Sequence, residues 1–479
     1  MKPAHSGDWM CNQDLICPTS ATMSGGTTGP LLYAVAAAVL GMLQFGFNTG
    51  VINAPRAFIE NFIAANYNAS PSLLFSVVVS IFAVGGMIGC PLASWLQEKR
   101  GRKQALLLNA AFGVIGAAFM GFSKPANSIE MLIIGRFLIG INCGFATTAS
   151  PTYVSEVAPL RMRGAFGTVN QLAVAFGLVA GQILGIDVIL GSDDGWPWLL
   201  GLAVIPSAIQ FAMLPFAPES PRYLLFAGRD EQSAREVLTK LRGTDQVDEE
   251  INAMHYEDQA EKKEQKFTIM DLFRTKALRA PLLIGVVMHL SQQWGGINAV
   301  LYFSATIFEG AGLEAEEARL ASIGVGSILF VMALVSIPLM DRLGRRTLQL
   351  VGLGGMAVFS ILMTVALTNK QNTTMSYFAV VFTLLYVGLF GVGPSSIPWM
   401  IMSEMFSQGA RSAAVSVGAL VNWFANFIIG LTFIHIMGAF GDYVFVLFTI
   451  LLVLFFIFTY LKLPETKNKT IEEVTALFK

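Results

Sequence analysis

Glu98-Lys99-Arg100-Gly101-Arg102-Lys103 closes one long apolar run, and Asp341-Arg342-Leu343-Gly344-Arg345-Arg346 closes another. Each is an acidic residue, two further positions, a glycine and two basic residues, set between stretches almost free of charge. The echo extends outward at a nearly constant offset. Ser155-Glu156 matches Ser403-Glu404, Val169-Asn170-Gln171 matches Val421-Asn422-Trp423, and Pro218-Glu219-Ser220 matches Pro464-Glu465-Thr466. Any one pair is weak; together they describe a chain of two halves.

A helix needs roughly 20 apolar residues to cross hydrocarbon. Such runs fall near 31–53, 72–96, 104–122, 130–153, 165–189 and 197–216 in the first half. The second half has them near 281–308, 320–340, 347–368, 377–402, 412–436 and 442–462. The expected organisation is a tail over 1–30, a six-helix bundle over 31–216, a linker with short amphipathic helices over 217–280, a second bundle over 281–463 and a tail over 464–479. Composition agrees: 54% of residues are hydrophobic and 13% charged, against about 25% charged in a soluble domain. Lipid is therefore part of the solvent, and the fold class is an all-α membrane protein with twelve transmembrane helices in two pseudo-symmetric halves. The first run is too long, and lies too far from the start, for a cleaved leader, so it is expected to remain as a span. A net charge of −1 argues against nucleic acid as a partner. Cys90 and Cys143 sit in apolar runs, Cys11 and Cys17 in the polar tail, and neither pair resembles a disulfide framework or a zinc site.

Basic residues set the orientation. Of 31 Lys and Arg, only Arg56, Lys124, Arg319 and Lys370 fall on the face opposite the termini, while Arg136 lies within a span. Both termini are therefore expected in the cytoplasm. Asn68-Ala69-Ser70 and Asn372-Thr373-Thr374 then lie outside as glycosylation sequons, whereas Asn468-Lys469-Thr470 lies inside and bare. The charged turns have a bland reading, orientation by positive charge alone. Carboxylates are not needed for that, so a latch is favoured: Glu98, Glu156, Asp341 and Glu404 pairing with Arg102, Arg163, Arg342, Arg345 and Arg411 when the cytoplasmic side closes.

Several local motifs resemble one family. They are Gln44-Phe45-Gly46-Phe47-Asn48-Thr49-Gly50, Gly135-Arg136-Phe137, Pro218-Glu219-Ser220-Pro221-Arg222 and Gln292-Gln293 with Gly296-Ile297-Asn298. Gly344-Arg345-Arg346, Ile397-Pro398-Trp399 and Pro464-Glu465-Thr466-Lys467 complete the set. From about Leu31 to Thr470 the chain is similar to the sugar porters of the major facilitator superfamily, and within them to animal facilitative glucose transporters. The resemblance implies the major facilitator fold, four short helices in the linker, a plasma-membrane location and a hexose as partner. The sequence offers no nucleophile–base pairing, metal cluster or phosphate loop, so no cofactor, metal or enzymatic activity is expected.

A hexose is a ring of hydroxyls with apolar C–H faces. Neutral amides, each carrying a donor and an acceptor, suit the first, and aromatic rings suit the second. Gln292, Gln293 and Asn298 lie in the seventh span, where Gly295 and Gly296 favour local unwinding. Gln171 and Gln182 lie in the fifth, and Trp399, Asn422, Trp423 and Asn426 in the tenth and eleventh. Any single amide is also read as a helix–helix hydrogen bond. The resemblance assigns sugar contact to Gln171, Gln292, Gln293, Asn298 and Trp399. Gln182, Asn422, Trp423 and Asn426 remain candidates on residue chemistry alone. Leu329 stands where many relatives have a sugar-contacting Asn, and Gly391 where glucose-selective relatives often have Glu. His289, with Leu290 and Ser291, mixes two family variants, which makes fructose a second expected substrate and His289 a packed or selectivity-tuning residue. Proton-coupled relatives tend to carry Asp where Asn48 stands here. An amide does not titrate, so uniport is expected. The rival readings are a proton–sugar symporter, a non-transporting sugar sensor, and a carrier for a polyol or dehydroascorbate.

Overall fold

In hydrocarbon a backbone has only itself to bond, so an apolar run that crosses lipid closes as helix. A computed structural model describes residues 27–227, 230–263, 266–467, 469 and 473–474, excluding the side chains of 160, 260, 261, 263, 337 and 341. Cys11, Cys17 and the Asn468 sequon lie outside the described residues.

In the first half, α1 (Gly29–Gly50) starts on Thr28, whose hydroxyl accepts from Leu31 N at 3.3 Å. A short helix, α2 (Arg56–Asn66), leads to α3 (Pro71–Arg100), α4 (Arg102–Phe122), α5 (Ile129–Val157) and α6 (Arg163–Leu184). The sixth span comes in two pieces, α7 (Trp196–Gly201) and α8 (Val204–Met213). The linker holds α9 (Pro221–Phe226), α10 (Glu231–Arg242), α11 (Asp248–Lys263) and α12 (Ile269–Arg274). The seventh span is α13 (Lys276–Gln292), a π turn over Gln293–Ile297, and α14 (Asn298–Gly310). Then come α15 (Ala315–Leu343), α16 (Arg345–Thr368), α17 (Thr373–Val392), α18 (Ile397–Glu404), α19 (Gln408–Phe440) and α20 (Val444–Lys462).

Among the described residues, ten helical stretches are long and apolar enough to cross a bilayer. The last of them, Gln408–Lys462, contains both α19 and α20. The broken seventh span falls outside the ten because its pieces are 17 and 13 residues long. These two facts account for twelve crossings in a multi-pass membrane protein.

The two charged turns close in the same way. Gly101 and Gly344 take φ of +88° and +84°, a left-handed conformation that suits glycine. Glu219 Oε1 then accepts from the first two N–H groups of α4, Arg102 N at 2.9 Å and Lys103 N at 3.0 Å. Glu465 does the same for α16, from Arg345 N at 2.9 Å and Arg346 N at 3.1 Å. An anion at a helix N-terminus satisfies both orphan donors and the helix dipole. Burial pushes the Glu219 carboxyl above its ordinary range, against backbone N–H groups that pull it down.

The linker is tied to both halves. Arg242, buried, grips Glu250 at 2.6 and 2.9 Å and donates to Val157 O at the end of α5. Phe267 N bonds Gly409 O, at the start of α19, at 3.1 Å.

The halves meet along α3 with α19, α6 with α15, and α1 with α14. The first two contacts exchange under the internal repeat: the second span meets the eleventh, and the fifth meets the eighth. Direct polar contacts bridge this seam towards the face opposite the charged turns. Asn53 Nδ2 donates to Ser304 Oγ at 2.6 Å and Arg56 to Thr306 at 2.7 Å, while Arg319 pairs with Asp187.

Candidate functional site

The π turn in the seventh span organises the site. Gly296 has φ +96°, and a Cβ there would lie 2.8 Å from the Phe448 ring. The bend expected from Gly295 and Gly296 is present, and it brings Gln293 and Asn298 to face each other.

Four amides form one wired cluster. Gln292 Nε2 donates to Pro394 O at 2.9 Å and Ser395 O at 2.7 Å, in the break between α17 and α18. Asn422 Nδ2 donates to Gln292 Oε1 at 2.6 Å, and Gln293 Nε2 donates to Asn422 Oδ1 at 2.9 Å. Asn298 Nδ2 donates to Gln293 Oε1. One turn further, Tyr302 OH donates to Asn426 Oδ1 at 3.1 Å. Shared bonds of this kind fix which end of each amide faces outward. Asn298 Oδ1, Asn426 Nδ2 and the whole Gln171 amide remain for a solute.

These groups line a cavity between the halves, with roughly 810 Å³ of empty space, part of it open to solvent. Gln171, Gln292, Gln293, Asn298, Trp399, Asn422, Trp423 and Asn426 all border it. The indole of Trp423 packs with Phe45 and Phe82 of the other half, at centroid distances of 5.7 and 5.8 Å. Sequence reasoning did not single out Phe45, Thr49, Thr147, Tyr302, Phe390 and Ser395 as lining residues. Phe45 and Thr49 lie inside the quoted Gln44–Gly50 motif, and Tyr302 is one helical turn beyond Asn298, so a signal was present for those three.

Gln182 lies elsewhere. It is buried in the seam, where its Oε1 accepts from Gly326 N at 3.2 Å. His289 stands behind the cavity wall. Its Nδ1 accepts from Asn422 Nδ2 at 3.2 Å, and its ring meets Trp399 edge-on at 4.8 Å. Leu329 borders the cavity as plain hydrocarbon. Gly391 is covered: a Cβ there would come within 2.5 Å of Met332 Cβ, so no side chain fits without displacement. The wall formed by α15 and α17 is consequently apolar.

Asn48 is fully buried, and its Nδ2 donates to Gln44 O at 2.9 Å. Arg136 donates to Asn48 O at 3.0 Å and Val78 O at 3.3 Å, and lies 4.6 Å over the Phe82 ring. Backbone carbonyls and a ring thus hold its charge. No Asp or Glu borders the cavity among the described residues.

At the charged turns, Arg102 pairs with Glu156 at 2.8 Å, and Ser220 Oγ donates to Glu156 at 2.5 Å. Arg345 pairs with Glu404 at 3.0 Å, and Thr466 Oγ1 donates to Glu404 at 2.5 Å. Both pairs join spans of one half rather than bridging the two. Glu98 and Arg342 are exposed outside these pairs, and Arg163 and Arg411 are half-buried with the Nε of each unpartnered. The Asp341 side chain lies outside the described residues. Asn68 and Asn372 are exposed, and Asn372 Oδ1 caps α17 by accepting from Thr374 N at 3.0 Å.

Residues 33–478 match the Sugar (and other) transporter family. The chain is 44% identical over 463 residues to solute carrier family 2, facilitated glucose transporter member 3 of Ovis aries, covering 94% of this chain and 93% of that one. It is 46% identical over 462 residues to member 1 of Gallus gallus, covering 94% of each. Among solved structures, the inward-open xylose transporter XylE from E. coli superposes with a TM-score of 0.80 at 25% identity, covering 94% of this chain and 100% of that one. The XylE proton:xylose symporter bound to 6-bromo-6-deoxy-D-glucose superposes at 0.76 with 26% identity, covering 94% and 99%.

Proposed function

The chain belongs to the sugar-transporter family of the major facilitator superfamily, and on that premise we propose that it is a facilitative carrier of hexose, chiefly D-glucose, working by alternating access. It is a transporter, not an enzyme. The observation that carries this reading is the cavity between the halves, walled by wired amides and by Trp399 and Trp423 and bordered, among the described residues, by no carboxylate. Gln171, Gln292, Gln293, Asn298, Asn422 and Asn426 offer donors and acceptors to ring hydroxyls, and the indoles offer a face to C–H groups. Gln182 serves the seam instead.

Uniport follows from chemistry. Proton coupling needs a group that gains and loses a proton as the halves rock. Asn48 and the lining amides do not titrate, and Arg136 stays charged. XylE is a proton symporter at 26% identity, whereas the facilitated glucose transporters share 44% and 46% with this chain.

On this reading, which the charged turns support, both termini are cytoplasmic, with 1–30 and 464–479 as tails, 31–216 and 281–463 as the moving halves and 217–280 as their linker. The plasma membrane is the location that suits a hexose uniporter, and Asn68 and Asn372 then face outside as glycan acceptors. As the cytoplasmic latch we take Glu98, Glu156, Asp341 and Glu404 with Arg102, Arg163, Arg342, Arg345 and Arg411, a reading supported by the Arg102–Glu156 and Arg345–Glu404 pairs, which brace each half at its charged turn. Fructose is the second substrate: the apolar wall of Leu329 and the covered Gly391 hold fewer hydroxyls in fixed places. The test is labelled glucose and fructose flux into liposomes holding the purified protein, beside Gln292→Ala. Saturable flux that this substitution weakens supports the reading; absence of monosaccharide flux defeats it.

A further inference from the structure

Orientation by charge leaves four basic residues on the outer face: Arg56, Lys124, Arg319 and Lys370. None of them is idle. Lys124 bonds Asp193 at 2.9 Å and Asp194 at 3.3 Å within the first half, and Lys370 bonds Asp442 at 2.8 Å within the second. The other two reach across the seam. Arg319, at the start of α15, pairs with Asp187 in the loop after α6, and its guanidinium also lies 5.7 Å over the Phe58 ring of α2. Arg56, at the start of α2, donates to Thr306 of α14 at 2.7 Å and is steadied by Glu60 at 3.0 Å.

We propose that Arg319–Asp187, supported by Arg56–Thr306, is an outer latch that holds the two halves together at their outer ends and sets the resting carrier towards the state closed to the outside. This rests on the alternating-access reading and the orientation above. Contacts across a seam that parts in one state exist only in the other, so they shift the balance by their differential strength. The geometry favours a real contribution. Only 13% of the Arg319 side chain is exposed, and Asp187 and Phe58 hold it from two sides. The Asp187 side chain is 42% exposed, so solvent and salt still reach the pair.

The test places a reporter cysteine in the cavity, Leu301→Cys, in the full-length carrier in sealed vesicles of known orientation. An impermeant maleimide added outside reacts only when the outer seam is open, and the parent without the reporter gives the background. Arg319→Ala and Asp187→Ala are each expected to speed labelling about two- to fivefold, the range of a modest ion pair. The double variant should label no faster than Arg319→Ala alone, because removing Arg319 already removes its contact with Asp187. The swap Asp187→Arg with Arg319→Asp should return the rate towards that of the parent, and Thr306→Val should raise it on its own. For variants that fail to insert, the parent answers alone: external salt at about 1 M shrinks the screening length to ~3 Å and should speed labelling. Unchanged rates in both singles, multiplicative rates in the double, or no response of the parent to salt would each overturn the latch. Glucose flux by the parent is measured alongside. Its absence would defeat the carrier reading, whereas unchanged labelling with intact flux defeats the latch alone.

Discussion

Gln293 is the residue on which the site converges, since it donates to Asn422 and accepts from Asn298. Gln293→Ala removes a solute contact and leaves two neighbouring amides short of a partner. A lost buried hydrogen bond of about 1–3 kcal/mol corresponds to roughly a 5- to 150-fold rise in half-saturation. Zero-trans glucose uptake in proteoliposomes reads this directly, and an unchanged half-saturation would remove Gln293 from the site. His289 acts at one remove. It accepts from Asn422 without bordering the cavity, so His289→Ala is expected to change the ratio of glucose to fructose uptake more than it changes the maximal rate of either. The chemistry of these residues was readable in the sequence, because paired amides beside two glycines in an apolar run have few other uses. What an amide faces was not readable. Gln182 and Gln171 share α6, yet Gln182 meets the backbone of Gly326 and Gln171 meets the cavity, a choice made by the neighbouring helix α15.

At the scale of elements, the two halves solve one problem twice. A chain leaving α3 or α15 turns at a left-handed glycine and starts the next helix with exposed N–H groups, which Glu219 or Glu465 receives. Glu219→Ala and Glu465→Ala are each expected to cost about 0.5–2 kcal/mol, the range of a lost helix cap. Thermal unfolding of the purified protein checks this, and a drop for one variant alone would break the equivalence. The broken seventh span gives a sharper case. Gly296→Ala forces a side chain into φ +96° and against Phe448, with strain of roughly 1–3 kcal/mol. Lower thermal stability together with weaker glucose binding is expected, since the same turn aims Gln293 and Asn298. Helix positions were legible because hydrophobic runs of span length are a strong signal. The echo of Pro218-Glu219-Ser220 in Pro464-Glu465-Thr466 was legible as a repeat, but not as a cap, because the carboxylate and the N–H groups it receives are more than a hundred residues apart in the chain.

At the scale of the molecule, two halves share a cavity bordered by no Asp or Glu among the described residues, with ion pairs inside each half at the charged turns and across the seam at the opposite end. Charge asymmetry along the chain is what the proposed orientation rests on. The seam itself was not readable, because Arg319 and Asp187 belong to different halves and only folding brings them together. The central claim is that sugar crosses by rocking of these halves with no proton as partner. It is tested most directly by labelled D-glucose entering proteoliposomes with and without an imposed inward proton gradient. The account expects the same final internal concentration in both cases, equal to that outside. Accumulation above the external concentration, driven by the gradient and abolished by a protonophore, would contradict it.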